Sequence, residues 1–323
     1  MTRREFIAGA GVLLAGGLFS RGDAETRSRS NSLCVSAPLR EKPLRLGVQL
    51  HGIRGVCAKD VRGTLAAIRA MGFEGVEAGN FFGLEPKAFG EAVREAGLEL
   101  VALQLYPYSL TEPQIHDTIR LCRETGAKRL NAAWFKGSAE NTADWQLAVN
   151  VLNHAAEVFA REGLSLGYHN HDQEFSIRLE GVTAMEWMRT HLSPMVALEF
   201  DPGWAALAGV DPLAFIAAHP NLGPDAHLTP AGDCALGAAQ DRADWRRIIP
   251  ALAASGVEWA FVKPLAHPDS LADLEASRKW LEKSFTTPNK ENNNEKEIKQ
   301  MDSACGGDGR CGRIRTHYLT SVR

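Results

Sequence analysis

Residues 164–175, LSLGYHNHDQEF, hold the densest set of chemically able side chains in this 323-residue chain. An apolar run that reads as a buried strand delivers His169, His171, Asp172 and Glu174 together at its C-terminal end. Side chains alternate along a strand, so His169 and His171 point to one side and Asn170 to the other. Two imidazoles on one face can ligate a metal ion or work as an acid/base pair. The plainer alternative, a histidine satisfied within its own loop, suits a single residue better than a pair beside a Glu.

Such a pair needs a scaffold, and the surrounding pattern supplies one. Between residues 44 and 284, β-like runs alternate with longer helical patterns: LRLGVQLHG, GVEAG, ELVALQLYP, KRLNAAW, LSLGYHNH, VALEFDPGW, a weak run over 225–229, and VEWAFVKP. Val61, Leu65, Ile68 and Met71 follow helical spacing and Gly72 stops them; Phe89, Val93 and Ala96 end at Gly97, and Ile115, Ile119 and Cys122 at Gly126. The same punctuation recurs at Gly163 and Gly256. Strand, helix and glycine stop, repeated eight times, predict an α/β fold: a single (β/α)8 barrel over residues 44–284. A doubly wound open sheet is the runner-up, but no Gly-rich phosphate loop follows the first strand.

Barrels of this kind carry their chemistry at the C-terminal ends of the strands. That rule selects Gln49 and His51 on the first strand, Glu77 on the second, Gln104 and Tyr106 on the third, and Asn131 and Trp134 on the fourth. The fifth gives His169, His171 and Glu174, the sixth Glu199 and Asp201, the seventh His227 and the eighth Lys263. Glu77 and Glu199 have a structural alternative as members of polar layers inside the barrel. His154, His191 and His219 read as surface groups, and Trp145, Trp187, Trp245 and Trp280 as packing between helices and barrel.

The two ends read differently. Arg3 and Arg4 precede a Gly/Ala-rich apolar run from Ile7 to Phe19, the pattern of a twin-arginine export signal over residues 1–25, and a periplasmic or extracytoplasmic address. The run is shorter than the ~20 residues a bilayer span needs, so a transmembrane anchor is the weaker reading. Residues 26–43 read as a linker and 285–323 as a disordered tail. The six cysteines follow no framework spacing, so no essential disulfide is expected. A net charge of −3 without a basic stripe argues against a nucleic-acid partner.

The motifs LGVQL, GVE, GYHNHDQEF, EFDPGWAALAGVDP and the Asp244-Trp245 pair resemble the sugar phosphate isomerase/epimerase superfamily, the xylose-isomerase-like TIM barrels, over roughly residues 44–284. GYHNHDxEF followed about thirty residues later by DxGW is the specific combination. The resemblance implies a divalent-metal isomerase or epimerase acting on a sugar, sugar phosphate or glycoside by proton transfer beside a carbonyl. It implies Asp201 and His227 as metal ligands, with either His169 or Glu174 from the fifth strand. His171 falls where a general base belongs, and Trp204 and Trp134 where apolar walls meet a sugar ring. Mn²⁺ suits mixed O/N ligands, with Zn, Co, Fe or Mg as other candidates. In that mechanism His171 and Glu174 or Glu77 exchange the proton, and Gln49, His51, Gln104 and Asn131 contact substrate hydroxyls.

Two departures from the family pattern stand out. The strand-seven His is commonly followed by Val-Lys-Asp, whereas here the run is His227-Leu228-Thr229-Pro230; strand eight commonly ends in a Glu ligand, whereas here it ends in Lys263. An ammonium there could take the metal's place or the site could work with three protein ligands, as catalytic metal sites often do. Other readings of the same scaffold are a lyase or hydratase of keto-glycosides, a sugar-binding barrel without turnover, and an endonuclease IV-like barrel. The last needs a richer His/Glu cluster and basic loops. A homodimer is left open.

Overall fold

The computed structural model describes residues 44–133, 141–264 and 271–285. The expected export leader (1–25) and linker (26–43), the expected tail beyond Phe285, and Trp134 lie outside them.

Eight parallel strands form the wall: β1 (Arg45–Gln49), β2 (Gly75–Ala78), β3 (Glu99–Leu105), β4 (Arg129–Ala133), β5 (Ser165–His169), β6 (Val196–Glu199), β7 (Asp225–Leu228) and β8 (Trp259–Val262). Each pairs with its sequence neighbours, and β1 pairs with β8 through Arg45↔Trp259 to Val48↔Val262. β6 and β7 meet at a single parallel bridge, Phe200↔Ala226, where the His227 N–H donates to the Phe200 carbonyl at 3.0 Å. That bridge closes the barrel, as the strand-helix rhythm predicts.

Period-two alternation decides what fills the interior. On β7, Asp225, His227 and Thr229 point inward at successive levels; on β8, Trp259, Phe261 and Lys263 do the same. On β8 the lower levels are apolar. Trp259 and Phe261 stack at 6.0 Å beside Val101, and Arg45 lies 3.9 Å from the Trp259 ring centroid. These rings need room across the barrel, which Gly47 and Gly75 leave: a Cβ on either would stand 2.6 and 2.7 Å from Phe261 and Trp259.

The helices wrap outside and bury the stripe their spacing predicts. Val61–Ala70 buries Val61, Leu65 and Ile68, and Asp60 caps it by accepting from the Gly63 N–H at 2.9 Å. Pro86–Glu95 starts on Pro86 and buries Phe89 and Val93; Gln114–Thr125 buries Ile115, Ile119 and Cys122. Thr142–Arg161 buries Trp145, Val149, Leu152 and Phe159, and Ala184–His191 opens on a capping box between Thr183 and Glu186. Trp145, Trp187 and Trp245 pack as buried core, and His154 and His191 lie at the surface. Among the described residues no helix is long and apolar enough to cross a membrane.

Candidate metal centre

Three strands deliver their last inward side chains to the same place. His169 ends β5, Asp201 follows β6 by two residues and His227 lies inside β7, and one ligand atom from each lies within 4.8 Å of the others. Beneath them Glu77 of β2 and Glu199 of β6 form a second group with His227 on the same criterion. All five are essentially inaccessible to solvent.

The two imidazoles are held alike. His227 sets Nε2 2.7 Å from Glu77 Oε2 and turns Nδ1 to Asp201 Oδ2 at 3.9 Å. His169 sets Nδ1 3.4 Å from Glu199 Oε2 and turns Nε2 to the same Asp201 oxygen at 4.0 Å. The rings lie 4.1 Å apart. Both His169 nitrogens and His227 Nδ1 are buried without a hydrogen-bond partner. Unpartnered polar atoms at zero exposure are costly, and a cation between two ring nitrogens and a carboxylate removes the cost. The donor set therefore fits a divalent metal.

Local sequence explains why Asp201 is so firmly placed. Its Oδ1 accepts from the Gly203 and Trp204 N–H groups at 3.0 and 3.3 Å, capping the short helix Pro202–Leu207, and Oδ2 accepts from the Thr229 hydroxyl. A Cβ at Gly203 would stand 1.8 Å from the Thr229 carbonyl oxygen, so the Gly of DPGW is what lets this turn close on β7. Asn170 grips the other side. Its amide accepts from the Asp201 N–H at 2.9 Å and donates to the Asp201 carbonyl at 3.2 Å, continuing the β5–β6 ladder with a side chain.

Charge is sorted by depth. Burial alone would push His227 down, but Glu199 and Glu77 outweigh it and hold the imidazole at about 10. Burial and the neighbouring Glu77 push Glu199 up to about 8, whereas His227 overcomes the burial of Glu77 and holds that carboxyl below its ordinary value. The inner layer thus pairs a charged His227 with an ionised Glu77, and a divalent ion held at Nδ1 would take the place of the second ring proton. Nearer the mouth, burial and the charges of His227, His171 and Lys263 hold His169 well below the usual histidine range. Burial, then Lys263 and His227, push His171 down to about 3. Its neutral ring meets His169 edge-on at 4.8 Å and lies 5.4 Å from Trp204.

The sequence-selected residues divide between two levels. His169, His171, Asp201, His227, Trp204 and Lys263 gather around the mouth, with Lys263 Nζ 5.8 Å from the Trp204 ring centroid. His51 sits exposed at the rim. Glu77, Asn131, Gln49 and Gln104 are engaged lower down. Asn131 donates to Glu77 and Glu199 at 2.9 and 2.8 Å, and Gln49 donates to Gln104 at 3.0 Å while accepting from the His51 N–H at 2.7 Å. Glu174 joins neither ligand group. Its carboxylate lies outside the barrel wall, accepting from the Tyr168 hydroxyl at 2.7 Å, the His171 N–H at 2.6 Å and Gln173 at 3.1 Å. The reason is the turn after β5: Tyr168 points away from the interior, and the short helix Gln173–Ser176 carries Glu174 to it. Asn170 and Thr229 carry roles the motif reading gives them no part in.

Comparison with known proteins agrees with this architecture. Residues 65–284 match the family described as xylose isomerase-like TIM barrel. A sugar phosphate isomerase/epimerase from Parabacteroides distasonis superposes with a TM-score of 0.65 at 21% identity, over 74% of this chain and 97% of that one. An L-ribulose 3-epimerase aligns at TM-score 0.60 and 14% identity over 82% of this chain and 100% of its own. A 3-keto-D-glucoside 4-epimerase from E. coli aligns at 0.58 and 15% over 76% and 100%. No curated protein sequence gives a significant match.

Proposed function

Because this chain belongs to the xylose isomerase-like TIM barrel family, we propose that it is a sugar isomerase or epimerase that moves a proton beside a substrate carbonyl, with a divalent metal held by His169, Asp201 and His227. The observation that carries this reading is the convergence of His169 Nε2 and His227 Nδ1 on one oxygen of Asp201. A bound divalent ion would supply Lewis-acid polarisation of the carbonyl, and Mn²⁺ suits the mixed nitrogen and oxygen donors.

The remaining work falls to the chain's own side chains. His171, a neutral ring that meets His169 edge-on, accepts the α proton and, as the imidazolium, returns it to the product carbon. Trp204 offers an apolar face to the sugar ring beside it. Glu174 takes no proton in this scheme; it holds the backbone N–H of His171 and so fixes the base. Glu77 likewise acts on His227 rather than on substrate. The names of the structural neighbours, an L-ribulose 3-epimerase and a 3-keto-D-glucoside 4-epimerase, support a ketose or keto-glycoside as the substrate class.

One observation favours a second reading. Lys263 stands where relatives place a Glu ligand, which favours a barrel that binds sugar without turning it over. Full-length protein from manganese-supplemented medium, assayed for metal by mass spectrometry and for turnover on ketoses and 3-keto-glycosides, separates the two. One equivalent of metal and an isomerised product abolished by His171→Ala support the enzyme. An elimination product points to a lyase on the same site, and binding without product points to the sugar-binding barrel.

A further inference from the structure

Lys263 is the one buried lysine or arginine among the described residues, only 6% exposed. It stands at the top of β8, in a mouth lined by His51, His169, His171 and Trp204. Its ammonium makes no hydrogen bond or ion pair within the described residues; its recorded neighbour is the Trp204 ring, at 5.8 Å. A buried cation of this kind calls for a counter-charge.

Among the described residues no uncommitted carboxylate supplies that charge close by. Each carboxylate in reach is already committed elsewhere. Glu77 accepts from Asn131 and lies against His227, and Glu199 lies against the same two side chains. Asp225 pairs with Arg129 at 2.6 Å at the bottom of the barrel. Asp201, at the level of the mouth, accepts from two backbone N–H groups and the Thr229 hydroxyl, and belongs to the candidate ligand group. Consistent with an ammonium left short of partners, burial holds Lys263 below its ordinary value against the pull of Asp201, Glu77 and Glu199.

We propose that Lys263 is a specificity-determining residue that pairs with a carboxylate on the substrate, making the preferred ligand a sugar acid rather than a neutral sugar. This deepens the isomerase reading and rests on it for the sugar part. A carboxylate matches the single charge of one ammonium, and a sugar phosphate is the alternative that the test separates.

The test is calorimetric titration of the full chain with three acids, each beside its neutral counterpart: D-glucuronate and D-glucose, D-galacturonate and D-galactose, glycolate and ethylene glycol, with D-glucose 6-phosphate as the phosphate arm. At least one acid is expected to bind roughly tenfold or more tightly than its counterpart. Lys263→Met should bring that acid down to the neutral level, and Lys263→Arg should keep most of the preference. The proposal is overturned if no acid outbinds its counterpart, if Lys263→Met keeps the preference, or if the sugar phosphate outbinds every acid. Should Lys263→Met fail to fold, the wild-type comparison and Lys263→Arg still decide. Acid selectivity without turnover would sink the isomerase reading and leave this site standing. Turnover of neutral ketoses without acid selectivity would do the reverse.

Discussion

Glu77 receives a 2.7 Å hydrogen bond from Nε2 of His227, and this contact decides which nitrogen His227 can offer to a metal. With Nε2–H donating downward, Nδ1 is left for the side on which Asp201 and His169 lie. A carboxylate that orients a ligating histidine typically accounts for 10–100-fold in metal affinity. Glu77→Gln keeps the shape and removes the charge, so Mn²⁺ binding measured by calorimetry should weaken by about that factor with the fold intact by circular dichroism. Unchanged affinity would mean that His227 does not ligate through Nδ1.

A second expectation concerns the loop after β5. Glu174 is fully buried and its carboxylate is held by Tyr168, Gln173 and the His171 N–H. Tyr168→Phe removes one donor without changing the packing volume much and leaves a buried carboxylate oxygen short of a partner. A loss of about 1–3 kcal/mol in urea unfolding is expected. Glu174→Ala should lower turnover as well, since the backbone that carries His171 loses its anchor. If Glu174→Ala left turnover and stability untouched, the loop would owe its position to something else.

The barrel was legible because its signals are local. The glycine stops have the left-handed backbone that only glycine adopts readily, for example φ 88° at Gly72 and 86° at Gly126, and each marks the end of a predicted helix. His169, Asp201 and His227 were legible as a group because strand ends of a barrel converge. Depth was not legible. Nothing in a linear pattern says that Asn131 and Gln49 form an inner layer while His171 reaches the mouth, because that depends on strand stagger. The placing of Glu174 is not legible for a related reason: after the last ladder residue the alternation rule lapses, and the chain turns it toward Tyr168 instead of the interior. Asn170 and Thr229 escaped notice because their work is to hold Asp201, and holding residues carry no motif of their own.

Gly203 offers a test of how tightly β6 and β7 are locked. With a Cβ there 1.8 Å from the Thr229 carbonyl, backbone and not a flexible side chain must yield. Gly203→Ala should destabilise by roughly 2 kcal/mol or more and loosen the Asp201 cap. Urea unfolding and metal titration on the same variant should show both losses together; a variant with wild-type stability would mean that the turn has slack the geometry does not suggest.

The lowest polar level predicts a pH dependence of stability. Burial, with Glu77 adding to it and Arg129 opposing, raises the Asp225 carboxyl from 3.8 to about 6. The folded chain therefore binds a proton there more readily than the unfolded chain does. For an acid whose folded value is raised, stability is greatest below the unfolded value and is lost as pH climbs through the folded one. Between pH ~4 and ~6.5 the wild type should lose roughly 2 kcal/mol relative to Asp225→Asn, which cannot ionise. Urea unfolding of both proteins across that window gives the difference directly. If instead the wild type gained on the variant as pH rose, the 2.6 Å pairing with Arg129 would outweigh burial, and the base of the barrel would be held by an ion pair rather than strained by a buried charge.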